Sequence, residues 1–122
     1  MRSLNKVSLI GNLGGNPAEV RYLEGGVAVT KITLATTESF KDKSGITHYS
    51  TDWHTIVLWR GLAELAVKYL TKGSLVYIEG KLKTRNYEGK DASTRYVTEI
   101  IAENLIMLDK KTSGPTSEPP VL

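Results

Sequence analysis

Along residues 75–87 (LVYIEGKLKTRNY) apolar and polar side chains alternate. Residues of equal parity share one face of a β-strand. Val76, Ile78, Gly80, Leu82 and Thr84 are therefore expected to line a core, while Tyr77, Glu79, Lys81, Lys83, Arg85 and Tyr87 form a basic face with aromatics at its ends. Residues 49–59 (YSTDWHTIVLW) repeat the arrangement. Tyr49, Thr51, Trp53, Thr55, Val57 and Trp59 share parity, so two indoles stand six residues apart on one face while Ile56 and Leu58 supply the other.

The rest of the pattern supplies the framework. Residues 4–13 carry Val7, Leu9 and Leu13 at alternating positions and stop at Gly14-Gly15-Asn16-Pro17, a run of turn formers. That run lacks the Lys-Ser/Thr and the following helix that a phosphate-cradling loop needs. Residues 18–22 are a candidate short strand before the Glu24-Gly25-Gly26 turn, and 27–39 alternate Ala28, Thr30, Ile32 and Leu34 with Val29, Lys31 and Thr33. Residues 40–45 (FKDKSG) are expected to form a flexible loop. Over 60–70 the period changes: Leu62, Leu65, Ala66, Tyr69 and Leu70 fall on one helical stripe, and Gly73 supplies the stop. This predicts a helix that caps one end of a sheet. Residues 88–93 read as a hairpin loop and 94–108 as a long returning strand.

The expected fold is all-β with one short helix, placed between the third and fourth of five main strands. That order matches the five-stranded Greek-key OB-fold barrel, whose face and loops bind oligonucleotides. Residues 1–109 then form one domain. Residues 110–122 hold three of the four prolines together with Ser, Thr and Gly, which predicts a disordered tail.

Composition changes this picture little. A chain of 122 residues suits a single domain. Sixteen basic against thirteen acidic residues leave a net charge of only +3, so clustering is more informative than the total. Lys81, Lys83, Arg85, Lys90 and Arg95 crowd one span that is opposed only by Glu88 and Asp91. The absence of cysteine excludes disulfides and thiolate metal sites and fits a reducing compartment. The N-terminal MRSLNKVSLIG has too short an apolar run for a signal peptide, and no segment approaches the roughly 18 apolar residues of a membrane span. A soluble, cytoplasmic protein without membrane contact is expected.

Catalytic chemistry finds no foothold. His48, Asp52 and His54 share parity, yet the two imidazoles stand about 20 Å apart at about 3.3 Å per residue, too far to share one ion. No metal or other cofactor is expected. There is no nucleophile elbow and no catalytic cysteine, and Asp42, Asp52, Asp91 and Asp109 are dispersed, so the chain does not read as an enzyme. What fits is single-stranded nucleic acid, which needs flat rings for bases and nearby cations for phosphates. Stacking contributes roughly 1 to 3 kcal/mol per base and tolerates any sequence. A half-buried sheet with ordinary solvated Lys and Arg is the plainer alternative.

Taken together, LNKVSLIGNLG, EVRY, ITLATTES, the Trp53-His54 pair in TDWHTIVLW, LAELAVKYLTKGSLVYIEGKLKTR and RYVTEI resemble the bacterial single-stranded DNA-binding protein family over roughly residues 3–108. The resemblance implies a homotetramer that wraps and protects single-stranded DNA during replication, recombination and repair. It assigns base stacking to Phe40, Trp53, Trp59 and Tyr87. Phe40 and Tyr87 stand where many relatives have tryptophan, and Trp59 where many have phenylalanine; each ring keeps its π-face. Phosphate contacts are expected from Lys31, Lys41, Lys43, Lys72, Lys81, Lys83, Arg85 and Arg95, and subunit contacts from Lys6, His54 and Tyr77. Relatives usually end in an acidic stretch with a terminal Pro-Phe that recruits replication and repair enzymes, whereas this chain ends SEPPVL. The expected partners are single-stranded DNA and further copies of the chain, with enzyme recruitment left open. Two other readings share the fold. One is a protein-interaction module resembling primosomal replication protein N, with weak DNA binding; the other is a small OB-fold nuclease, for which the sequence gathers no carboxylates.

Overall fold

The alternating stretches form six strands around one helix in the computed structural model, which describes residues 2–109. In chain order these are β1 (Val7–Leu13), β2 (Arg21–Leu23), β3 (Val27–Lys41), β4 (Thr47–Trp59), α1 (Gly61–Tyr69), β5 (Leu75–Glu88) and β6 (Thr94–Met107). They pair in the order β1-β5-β6-β4-β3-β2, and β1 returns to pair β3 at Asn12↔Ala35 and Leu13↔Leu34, which closes the sheet into a barrel. Every pairing is antiparallel except a short parallel contact between β4 and β6, Ile56↔Ile100 and Val57↔Ile101. Apart from the three-residue β2, the helix lies between the third and fourth main strands, as the sequence pattern requires. The tail expected over 110–122 lies outside the described residues.

Period-2 alternation places the core. Ala28, Thr30, Ile32 and Leu34 of β3 meet Ile56 and Leu58 of β4, Val76 and Ile78 of β5, and Leu13 of β1. Ala63 and Ala66 of α1, with Leu70, close one end of the barrel. The Thr30 hydroxyl donates to the Ala18 carbonyl, so its burial leaves no unpaired polar group.

Two long hairpins run out from this barrel, and both differ from expectation. Pairing between β3 and β4 continues unbroken from Val29↔Trp59 to Lys41↔Thr47. The flexible loop expected over 40–45 is therefore shorter: Phe40 and Lys41 are strand residues, and the turn is held by Asp42, whose Oδ1 accepts N–H bonds from Ser44 and Ile46 at 2.8 and 3.0 Å. The second difference lies in β5, whose register with β6 shifts between Glu79 and Gly80. A Cβ at Gly80 would collide with the Ile101 carbonyl, so glycine allows the two backbones to approach at this bulge. Beyond it the hairpin leaves the barrel. Leu82, expected in the core, is 48% exposed, and Thr84 is exposed with its hydroxyl 2.9 Å from that of Thr98. Parity assigns a side chain to a face but does not say where along the strand the barrel ends.

Candidate nucleic-acid interface

The outward parity of β3, β4, β6 and β5 builds one groove. Register aligns Lys31 with Val57, Val57 with Ile101 and Ile101 with Lys81, so a row crossing four strands reads Lys-Val-Ile-Lys. Two apolar side chains form the floor and a lysine stands at each side. Arg21, Leu23, Val29, Trp59, Lys83, Arg85 and Glu99 complete a groove of ≈ 630 Å³. Val57 is buried although it has outward parity, in keeping with its place on the floor. Trp59 is 37% exposed and presents its ring to the groove. An apolar floor beside an open indole suits a base, and cations at the rim suit a phosphate.

Trp53 lies on the same face as Trp59, paired across from Ala35, and is 61% exposed. Its six-membered ring rests against the backbone of Gly14, where any Cβ would intrude on it. The Gly14 N–H donates to the Thr33 carbonyl at 2.8 Å, which fixes that backbone under the ring. Phe40 is placed differently. It pairs with His48, five residues before Trp53 on an unbroken ladder, and that odd step gives Phe40 and Trp53 opposite parity on the ribbon. The Phe40 ring stacks on His48 with centroids 5.3 Å apart, and His48 Nε2 lies 2.8 Å from Asp42 Oδ2. That contact, followed by the Ile46 N–H, holds the Asp42 carboxyl below the usual aspartate range. Tyr87 sits near the end of β5, directly across from Arg95. The structure thus joins the two indoles on one face and sets Phe40 and Tyr87 far out on the two hairpins.

The cations divide similarly. Lys31, Lys81, Lys83 and Arg85 meet at the groove. Lys41 and Lys43 sit at the tip of the β3–β4 hairpin, and Arg95, 3.6 Å from Asp91, at the tip of the β5–β6 hairpin. Lys72 follows α1, where its backbone N–H donates to Asn16 Oδ1 in the loop that also contains Gly14. Arg21 and the floor pair Val57 and Ile101 were missed at the level of sequence because parity does not reveal which strands lie side by side. Glu99 was missed as well. It is 5% exposed, and its Oε1 accepts from Arg85 Nε at 3.0 Å while its Oε2 lies 3.0 Å from Lys31 Nζ. Hydrogen bonding from Arg85, joined by that from Lys31, holds the Glu99 carboxyl below the usual glutamate range against the opposing effect of burial. The same bond raises the Arg85 guanidinium above its ordinary value. Its signal was a carboxylate on the outward parity of a strand whose neighbours there, Val97 and Ile101, are apolar.

Of the residues expected at subunit contacts, Lys6 and Tyr77 converge on Glu79. The Tyr77 hydroxyl donates to Glu79 Oε2 at 2.7 Å, and Lys6 Nζ is 3.7 Å from the same oxygen. The Tyr77 hydroxyl first, then the Lys6 charge, lowers the Glu79 pKa. His54 stands apart, with Nε2 2.9 Å from Thr36 Oγ1. Among the described residues no three metal-ligating side chains converge, and no helix is long and apolar enough to cross a membrane.

The model of the single-strand binding protein family matches residues 4–108. The chain belongs to the single-strand binding protein family. Members of this family are binding proteins, not enzymes. Within it, the chain is 46% identical over 112 residues to Single-stranded DNA-binding protein 1 of Xylella fastidiosa (strain 9a5c), an alignment covering 91% of this chain and 82% of the relative. It is 44% identical over 117 residues to the single-stranded DNA-binding protein of Neisseria meningitidis serogroup B (strain ATCC BAA-335 / MC58), covering 96% and 67%. The fold is similar to that in the Plasmodium falciparum SSB complex with ssDNA, with a TM-score of 0.81 and 38% identity over 89% of this chain and 98% of that one. A deletion mutant of the single-stranded DNA binding protein from Thermus aquaticus gives 0.74 and 33%, over 87% and 51%. Barrel, helix position and family membership agree with an OB-fold of the single-strand binding protein family.

Proposed function

We propose that this single-strand binding protein family member holds single-stranded DNA without regard to sequence, with bases against Trp53, Trp59 and the Val57–Ile101 floor and phosphates at the basic rim. The observation that carries the reading is the Lys31-Val57-Ile101-Lys81 row beside the open ring of Trp59. Unpaired bases can reach such a floor, whereas in a duplex they are stacked on one another and paired. Each stacked base contributes roughly 1 to 3 kcal/mol, and each phosphate contact on a single strand adds a salt slope of about 0.7. Phe40 and Tyr87, with Lys41, Lys43, Lys72 and Arg95, continue the path beyond the groove. The solved Plasmodium falciparum complex and the names of the curated relatives support the same ligand. Its cellular role is the protection of single strands in replication, recombination and repair, in the cytoplasm at the nucleoid.

The chain acts as a homotetramer in this reading. Ile10, Tyr77 and Ile106 form a cross-strand row on the outer face of β1, β5 and β6, and both isoleucines are about half exposed. Over Val7–Gly11 the second edge of β1 has no strand partner among the described residues, which favours pairing with a copy of itself. Fluorescence anisotropy of a labelled oligo-dT, competed with unlabelled single strand or duplex, tests the ligand. Single strand is expected to compete and duplex to compete poorly; equal competition contradicts the reading. Light scattering is expected to give the mass of four chains.

A further inference from the structure

The groove is lined by one carboxylate, and this group is already bound to two of the groove's cations. Glu99 is buried on β6; one of its oxygens takes Arg85 from β5 and the other takes Lys31 from β3, each at 3.0 Å. Lys31 and Arg85 are themselves about half exposed. Lys83 lies directly across from Glu99 in the β5–β6 register, yet among the described residues neither Lys83 nor Lys81 is in an ion pair. The rim therefore presents two kinds of cation, a pair that shares one internal carboxylate and a pair left to solvent.

We propose that Glu99 is an internal counter-anion that withholds Arg85 and Lys31 from the DNA backbone, leaving Lys81 and Lys83 as the groove's phosphate contacts. The proposal rests on the single-strand reading of the groove. A phosphate backbone that drew both Arg85 Nε and Lys31 Nζ away would leave a buried carboxylate without a partner. Leaving such a charge uncompensated costs more than an ion pair at a solvent-exposed cation contributes. A cation held on a carboxylate and off the phosphates releases none of the DNA's counterions by direct contact, and Glu99 lowers the combined charge of the pair from +2 to +1. Glu99 thereby sets both how tightly the strand is held and how steeply salt loosens it.

The opposite arrangement is also chemically definite. If Glu99 instead aimed Arg85 and Lys31 at phosphates, removing its charge would weaken binding. Oligo-dT titrations of the full chain, of Glu99→Gln, Lys31→Met and Lys83→Met, at about 50 and about 200 mM salt separate the two. Between those concentrations each single-strand phosphate contact accounts for about 2.6-fold in affinity. Glu99→Gln is expected to bind more tightly at low salt and to lose up to about sevenfold more affinity than the parent across the range. Lys83→Met is expected to shed about 2.6-fold of the parent's salt response, and Lys31→Met less than half as much. A folded Glu99→Gln that binds no more tightly and keeps the parent's slope overturns the proposal. A Lys31→Met slope that falls as far as that of Lys83→Met also overturns it, and this comparison stands even where Glu99→Gln fails to fold. A parent chain that binds no oligo-dT removes the reading of the groove itself, a result distinct from either.

Discussion

Gly14→Ala is expected to act on DNA binding through the ring of Trp53 while leaving the barrel standing. A Cβ at this position would enter the six-membered ring of the indole, so ring and methyl cannot keep their places together. The ring is the partner that gives way, because Trp53 is 61% exposed and can turn into solvent, whereas the Gly14 backbone is tied to Thr33. No left-handed backbone is required of Gly14, so alanine is tolerated conformationally. The stability change should stay within about 0.5 kcal/mol, as for other surface substitutions. Binding should weaken by the worth of one stacked base, roughly 1 to 3 kcal/mol, a Kd increase of about 5- to 150-fold. Anisotropy titrations of Gly14→Ala, Trp53→Ala and the double variant, with melting curves for each, measure this. The two effects should not add, because both remove the same platform. Additive losses, or a Gly14→Ala protein that melts far below the parent, would refute the reasoning.

Four further outcomes follow from the same geometry. Trp59→Ala should cost roughly 1 to 3 kcal/mol of oligo-dT affinity with little change in melting, and a variant that chiefly unfolds would make that indole structural. Leu34→Ala, at a fully buried position, should lower unfolding free energy in urea by about 2 to 5 kcal/mol; a loss below about 1 kcal/mol would show that the site collapses around the cavity. Because Arg85 and Lys31 hold the Glu99 carboxyl below its ordinary 4.5, the folded chain takes up that proton less readily than the unfolded chain. The stabilisation is complete above pH 4.5 and falls away as acid carries the pH down through the folded value, so denaturation midpoints of parent and Glu99→Gln should converge there; a constant gap contradicts the pairing. A chain ending at residue 109 should match the full chain in DNA titration and light scattering, and loss of either property would give the tail a part in it.

Much of this was legible in period-2 alternation. Ile56 and Leu58 face the core and Trp53 and Trp59 face away because parity on β4 survives to the end of an unbroken ladder. The stripe from Leu62 to Leu70 gave α1 to within a residue of its observed ends. What stayed hidden depends on contacts between distant segments. Leu82 has core parity, but the bulge at Gly80 carries it out on a hairpin that the barrel does not cover. Phe40 looked like a loop residue beside turn formers, whereas pairing with His48 extends the strand past it and gives it the parity opposite to Trp53's. On its own strand Glu99 stands out only as a carboxylate between Val97 and Ile101. Its role appears only when β5 and β3 bring Arg85 and Lys31 to the same carboxylate.

The most direct test of the central claim is the structure of the chain bound to oligo-dT. The groove account requires a base on each of Trp53 and Trp59, another against Val57 and Ile101, and phosphates within ionic contact of Lys81 and Lys83. A strand seated instead across the outer face of β1, β5 and β6, over Ile10, Tyr77 and Ile106, with the groove empty, would contradict it.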